Sequence, residues 1–394
     1  MIRQQMITQS MKSIEYIKKP EQLNELCQRI ENAPWIAVDT EFLREKTYYP
    51  KFCLLQLATP DWVACVDPLA LPDLTVLFDA IYNPNVTKVF HSCRQDLEIF
   101  YQITGKLPSP IFDTQIAAPL LGFQDNPGYA LLVSSFLNIN LNKAHTRADW
   151  SFRPLSQDEI QYAADDVIYL CTIYQRMVEQ LTNLGRIDWL RDDFASLEKA
   201  ELYETDPKNA WLKIKGKNKL TSKQLSIVQT IAHWREHTAQ TENRPKSWLL
   251  RDDLLFDIAK LQPDSIPALA KVRGINERIV NYYGKELCAL IKEAQKNVAQ
   301  TLPVQVKKLN NKNQQHEAII DILFALVRIR AEENLLNPSI LARRHDLEAL
   351  LAGDDAECTL LHGWRFTMVG KELQQLLRGE LQLKIDNDNV HFIG

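Results

Sequence analysis

The chain has 394 residues with 46 basic and 50 acidic side chains, a net charge of −4, so it lacks the basic excess of a protein that coats nucleic acid indiscriminately. Its 45% hydrophobic and 24% charged content excludes a disordered chain, and the length sets an expectation of two or three domains, each with its own core. Seven cysteines with no Cys-x-x-Cys pair exclude a disulfide framework or a zinc knuckle and read as buried thiols in a reducing compartment.

The first twenty residues carry Arg3, Lys12, Lys18 and Lys19 but no apolar secretion core, and no apolar run reaches membrane length, so a cytoplasmic protein without a membrane partner is expected. Met1–Lys12 read as a disordered extension. The run Trp35, Ile36, Ala37, Val38 predicts a buried strand over 35–42. A strand turns residues i and i+2 to one face, so Asp39 and Glu41 leave it side by side. Strands over 52–58 and 62–67, joined by Thr59-Pro60-Asp61, predict an antiparallel hairpin. A helix from Leu71 to Tyr82 and a strand over 86–90 follow.

Ser92 with Gln95 has the capping-box pattern, which predicts a helix with Asp96 in its first turn. Asp113 is expected to cap a helix beginning at Thr114, and another helix is expected from Tyr129. Ser156 and Glu159 form a second capping box, opening a long helix on which Tyr162 and Asp166, four residues apart, share a face. Asp165 points about 100° away from that face.

Asp39, Glu41, Asp96 and Asp166 are the residues that a two-metal phosphodiesterase needs. Paired carboxylates at the end of a core strand are costly unless they neutralise a cation. Oxygen ligands without sulfur or imidazole suit Mg²⁺ or Mn²⁺, two ions activating a water on one side of the phosphodiester and stabilising the leaving oxygen on the other. Tyr162 has a place beside the nucleophile. A phenol is a poor base near neutrality, so it is expected mainly to orient the water, with proton removal left open.

The order Asp-x-Glu, Asp, Tyr-x-x-x-Asp resembles the tyrosine subclass of the DEDD 3′→5′ exonucleases. The words VDTEF, LLQLA (Leu54 to Ala58), HSCRQDL, FDTQ (Phe112 to Gln115), DWSFRPLS (Asp149 to Ser156) and YAADDV narrow the resemblance to the ribonuclease D family. That resemblance implies an RNase H-like α/β fold with a mixed sheet over 13–203, and hydrolysis of RNA from its 3′ end to 5′-mononucleotides. It also implies tRNA precursors with 3′ trailers as the main substrate class. The alternatives are a 3′→5′ DNA exonuclease and an RNA-binding protein with a silent nuclease domain.

After Tyr203 helical apolar spacing takes over. Gly274 and Gly284-Lys285-Glu286-Leu287 are echoed by Gly363 and Gly370-Lys371-Glu372-Leu373, an internal repeat with a period near 90 residues. The first copy, with Trp234-Arg235-Glu236 and Asn243-Arg244-Pro245, resembles the HRDC domain, which predicts an HRDC domain over 215–297. A polar linker over 298–315 and a divergent second copy over 316–394 follow. Pro207 to Arg235 holds seven basic residues and no acid, the composition of a phosphate-contacting strip, with Trp211 as a stacking aromatic. His91, Arg147, Arg153, Lys213, Lys215 and Trp211 are therefore candidate RNA contacts, with Lys143 and His145 bordering the third motif. The nuclease part is expected to cut and the helical half to hold the RNA. A monomer without a nucleotide cofactor is expected.

Overall fold

A computed structural model describes residues 13–141, 148–296, 314–353, 358–387 and 389–393. The expected N-terminal extension, and the linker up to residue 313, lie outside these. The chain divides into two compact units. One contains residues up to Glu41, Phe52–Lys199 and the C-terminal segment; the other contains Phe42–Lys51 together with the chain from Ala200.

In the first unit the elements run β1 (Glu15–Ile17), α1 (Pro20–Glu31), β2 (Trp35–Leu43), β3 (Lys51–Ala58), β4 (Val63–Val66), α2 (Thr75–Ile81), β5 (Thr87–Phe90), α3 (Arg94–Thr104), β6 (Ile111–Asp113), α4 (Thr114–Ala117), α5 (Tyr129–Leu137), α6 (Gln157–Asn183) and α7 (Arg191–Leu197). The strands form one mixed sheet in the order β1-β4-β3-β2-β5-β6. β3 and β4 are the antiparallel hairpin expected from the Thr59-Pro60-Asp61 turn, with Leu55 opposite Val66, while β1–β4, β2–β5 and β5–β6 pair in parallel.

Ile36, Ala37 and Val38 are completely buried, as an interior strand covered on both faces requires. Only where β2 leaves this core do its acids appear. A charged residue of the sheet, Lys88, is also fully buried. Its Nζ donates to the carbonyls of Asn83, Val86 and Ser109 at 3.0, 2.6 and 2.6 Å, and burial lowers its pKa to about 8.

The C-terminal segment of this unit is helical: α13 (Gln314–Glu333), α14 (Pro338–Leu341), α15 (Arg344–Ala352), α16 (Gly363–Arg365) and α17 (Lys371–Leu377), with a 3₁₀ turn at Thr359–Leu361 and a π-helical turn at Phe366–Gly370. A two-stranded hairpin, β7 (Gln382–Asp386) and β8 (Asn389–Ile393), ends the chain; the helical spacing of this region had left no place for it. The segment docks on the exonuclease part. Trp364 stacks on Trp189 with centroids 4.8 Å apart and planes 7° from parallel. Arg186 donates to the Leu120 and Asn334 carbonyls, both at 2.6 Å, and Arg343 and Arg365 pair with Asp125 and Asp193.

In the second unit α8 (Ser222–Thr241), α9 (Lys246–Leu249), α10 (Asp252–Leu261), α11 (Ile266–Leu269) and α12 (Glu277–Lys296) enclose a core of Trp211, Ile227, Ile231, Trp234, Leu255, Leu287 and Ile291 among others. Thr221 and Gln224 close a capping box at the start of α8. The segment Phe42–Lys51 that connects β2 to β3 belongs to this unit. Asn243 Oδ1 accepts the Tyr48 and Tyr49 amides at 3.1 and 3.0 Å, and the Tyr48 hydroxyl donates to buried Glu236 at 2.6 Å. Among the described residues, no helix of either unit is long and apolar enough to cross a membrane.

Candidate active site

The two acids of β2 and the second acid of the α6 pair converge. One carboxylate oxygen each from Asp39, Glu41 and Asp166 lies within 4.8 Å of the others. Period two on the strand aims the first two, and the capping box fixes the start of α6. There Ser156 Oγ accepts the Glu159 amide at 3.2 Å, and Glu159 Oε2 accepts the Ser156 amide at 2.8 Å. Tyr162 stands one helical turn before Asp166. Its ring lies against Trp150, with centroids 6.1 Å apart and an interplanar angle of 30°.

Asp96 is buried in the first turn of α3 and accepts the Thr40 hydroxyl at 2.5 Å. Thr40 lies between Asp39 and Glu41, so this bond ties the acid of α3 to the strand that carries the other two. The expected Ser92–Gln95 capping box is not what starts this helix. Ser92 adopts a left-handed backbone (φ 63°), the cap position is Cys93, and the acceptor is Asp113. Its carboxylate takes the Ser92 and Cys93 amides at 3.0 and 2.8 Å, as well as the Gln115 amide at 2.8 Å. Asp113 therefore caps the expected helix and also holds the turn that leads into α3.

Without a cation these acids are in a hostile setting. Burial and the Asp166 charge hold Asp39 well above the usual carboxylate range. Burial, then Asp39, Asp166 and Asp96, push Glu41 up to about 9. Burial and Asp39 raise Asp96, against the bond from Thr40; burial and Asp165 bring Asp166 to about 7. Half-buried oxygens that repel one another, with no cationic side chain among the described residues lowering their pKa, fit a hard divalent cation.

A pH signature follows. The folded metal-free protein keeps protons that the unfolded chain releases near its reference carboxylate pKa values of about 4. The stability these groups contribute is thus complete below pH 4 and is lost as pH rises through 7 toward 9. In chelator the melting temperature is expected to fall across that window, and saturating Mg²⁺ is expected to raise it more at pH 8 than at pH 5. Equal increments at both pH values, read by calorimetry, contradict this.

The candidate RNA contacts fare unequally. Arg147, with Lys143 and His145, lies outside the described residues. His91 is turned to the protein: Nδ1 is 3.0 Å from Thr114 Oγ1, whose own proton goes to the Phe90 carbonyl. Its ring meets Tyr129, and burial lowers its pKa. Arg153 is not a phosphate contact, because its N–H groups are all directed at protein acceptors, Asp67 foremost. Trp211 is not a stacking surface; at 2% exposure it is core. Arg235 of the same strip is equally buried and paired with Asp252 at 2.8 Å. Lys213 and Lys215 are exposed, as are Lys208, Lys219 and Lys223.

Sequence reasoning missed Tyr129, whose hydroxyl donates to the Asp166 carbonyl and so anchors α6 beside its acid. No local pattern signals a partner 37 residues away. It also passed over Trp150 as the support of Tyr162.

A profile described as "3′-5′ exonuclease" matches residues 14–182, and an HRDC domain profile matches residues 224–291. Fold and acidic cluster together define an RNase H-like, metal-dependent 3′→5′ exonuclease domain joined to a helical HRDC region. The chain is similar to the ribonuclease D of Granulibacter bethesdensis, 36% identical over 379 residues and 96% of each chain, and to that of Acidiphilium cryptum, 38% identical over 381 residues and 96% of each. The crystal structure of Escherichia coli RNase D, "an exoribonuclease involved in structured RNA processing", superposes with a TM-score of 0.83 at 29% identity over 93% of this chain and 99% of that one. The chain belongs to the ribonuclease D family and is a hydrolase, a 3′→5′ exoribonuclease.

Proposed function

We propose that this exoribonuclease trims 3′ trailers from tRNA precursors in the cytoplasm, releasing 5′-mononucleotides, with Asp39, Glu41, Asp96 and Asp166 as ligands for two Mg²⁺ or Mn²⁺ ions. The observation that carries the site assignment is the convergence of Asp39, Glu41 and Asp166 oxygens within 4.8 Å, with Asp96 tied to Thr40 beside them. The bound ions supply an acidified water and stabilisation of the leaving 3′-oxygen. The carboxylates keep their charge in that state and fix where a phosphodiester lies. Tyr162 orients the attacking water through its hydroxyl. Exposed Lys213 and Lys215 contact RNA phosphates, and each such contact adds about one released counterion to the salt dependence of binding.

The test uses 5′-labelled RNA and DNA oligonucleotides with Mg²⁺, resolved at single-nucleotide length. A ladder descending from the 3′ end of RNA supports the reading. A ladder on DNA makes the chain a general exonuclease, and no ladder on either leaves an RNA-binding protein. A precursor tRNA with a 3′ trailer, cut no faster than an unstructured RNA of equal length, removes the substrate class.

Tyr162→Phe is expected to slow single-turnover hydrolysis about tenfold while RNA affinity changes less than twofold, because only the group beside the water is lost. An unchanged rate takes Tyr162 out of the mechanism.

A further inference from the structure

Arg153 ties the turn that precedes α6 to the sheet. Arg153 Nε and Nη2 donate to the two oxygens of Asp67 at 2.7 and 2.8 Å. Nη2 also donates to the Cys53 carbonyl at 2.6 Å, and Nη1 donates to the carbonyls of Trp150 and Phe152 at 2.7 and 2.8 Å. A guanidinium has five N–H groups in one plane, and here five acceptors meet them. Asp67 has a side chain only 4% exposed. It also accepts the Tyr16 hydroxyl at 2.6 Å and the Leu69 amide at 3.0 Å, and these bonds with Arg153 hold its carboxyl below the usual range despite burial.

Arg153 thus joins three pieces of the first unit: β3 at Cys53, the end of β4 at Asp67, and the turn of Trp150 and Phe152. Trp150, 3% exposed, is the residue on which the Tyr162 ring lies. The turn has its own local lock, with Asp149 Oδ1 accepting the Ser151 amide and hydroxyl at 3.0 and 2.7 Å. That lock shapes the turn, and the guanidinium bonds it to β3 and the end of β4.

We infer that Arg153, acting with Asp67, is a positioning residue: it fixes Trp150 as the backing of Tyr162 and thereby sets where the Tyr162 hydroxyl stands relative to the acids of β2. The inference rests on the proposed role of Tyr162. Lysine cannot replace the guanidinium here, since a compact ammonium with three donors cannot reach five coplanar acceptors.

The experiment is a pair of mutant cycles in the full-length protein with Mg²⁺ and a short single-stranded RNA. Arg153→Lys and Trp150→Leu are each made in the wild type and in Tyr162→Phe, and single-turnover rate and KM are measured. Each is expected to lower the wild-type rate about tenfold with KM changed less than twofold, and to lower the Tyr162→Phe rate less than twofold, because the hydroxyl it positions is already gone. If Arg153→Lys melts below the assay temperature, the Trp150→Leu cycle reads the same link without disturbing the ion pair. Losses that stay about tenfold in the Tyr162→Phe background overturn the proposal. So does a rise in KM at unchanged rate, the mark of a lost phosphate contact. Tyr162→Phe at the wild-type rate overturns the role of Tyr162 and this proposal together, whereas a slow Tyr162→Phe with additive losses overturns this proposal alone.

Discussion

Asp39→Asn is expected to reduce hydrolysis by about a thousandfold, corresponding to about 4 kcal/mol of transition-state stabilisation, while the protein stays folded. The isostere keeps the volume at the end of β2 and removes the charge that a cation needs. The same charge is a liability in the metal-free protein, where Asp39 and Asp166 repel each other and burial holds both acids above their usual range. In chelator at pH 8 the variant should therefore melt at or above the wild-type temperature, although it is dead in Mg²⁺. Stability lost at a functional site and regained when function is removed is the expected trade. Retained activity above about a tenth of wild type would sink the assignment, since one ligand of a two-ion site is worth more than that. A variant that lost both activity and metal-free stability would make Asp39 a structural acid.

Truncation after Tyr203 is expected to destabilise the exonuclease part, not merely to weaken its hold on RNA. The C-terminal helices share a unit with it, and a cut at 203 removes Trp364 from Trp189 and the Asn334 carbonyl from Arg186. It also strips Asp125 and Asp193 of their arginines. The exposed Arg343–Asp125 pair contributes little; the aromatic contact is the larger part. Trp364→Ala in the full chain is expected to cost about 3–5 kcal/mol, about 10 °C at a few degrees per kcal/mol for a domain of this size. The truncated fragment should melt at least as much lower, and cut short RNA at 10 °C but lose activity well below the full-length protein's limit on warming. Calorimetry of both proteins decides it: a fragment with the full-length melting temperature means that the docked helices add nothing to the nuclease.

The site was legible wherever its geometry is local. Asp39 and Glu41 follow from period two on an apolar strand, Tyr162 and Asp166 from four-residue spacing on a helix, and the start of that helix from Ser156 and Glu159. Legibility ends where a side chain's partner is distant in sequence. Ser92 and Gln95 have the composition of a capping box, but the Ser92 and Cys93 amides just before α3 are taken by Asp113, 21 and 20 residues downstream.

Arg153 next to a catalytic motif reads as a phosphate ligand until Asp67, 86 residues earlier, is seen to claim it. Trp211 among lysines has the composition of a stacking platform. Composition, however, does not say which way a short 3₁₀ turn faces, and this one turns Ala210 and Trp211 inward. β1 and β6, three residues each, are too short to show a period at all. The C-terminal hairpin did leave a trace, the alternation Leu383, Lys384, Ile385, Asp386, outweighed by the helical spacing before it.

The grip of Asn243 and Glu236 on Tyr48 and Tyr49 bears on how this protein can be taken apart. Because the ten residues Phe42–Lys51, from the end of β2 to the start of β3, complete the HRDC-containing unit, that unit is discontinuous in the gene, and no single cut yields it whole. A clone beginning at Ala200 would carry a receptor without its peptide, including a buried Glu236 that has lost the phenol it accepts from. Binding constants measured on such a clone would describe an incomplete object, and supplying Phe42–Lys51 as a free peptide is the natural way to make it complete again.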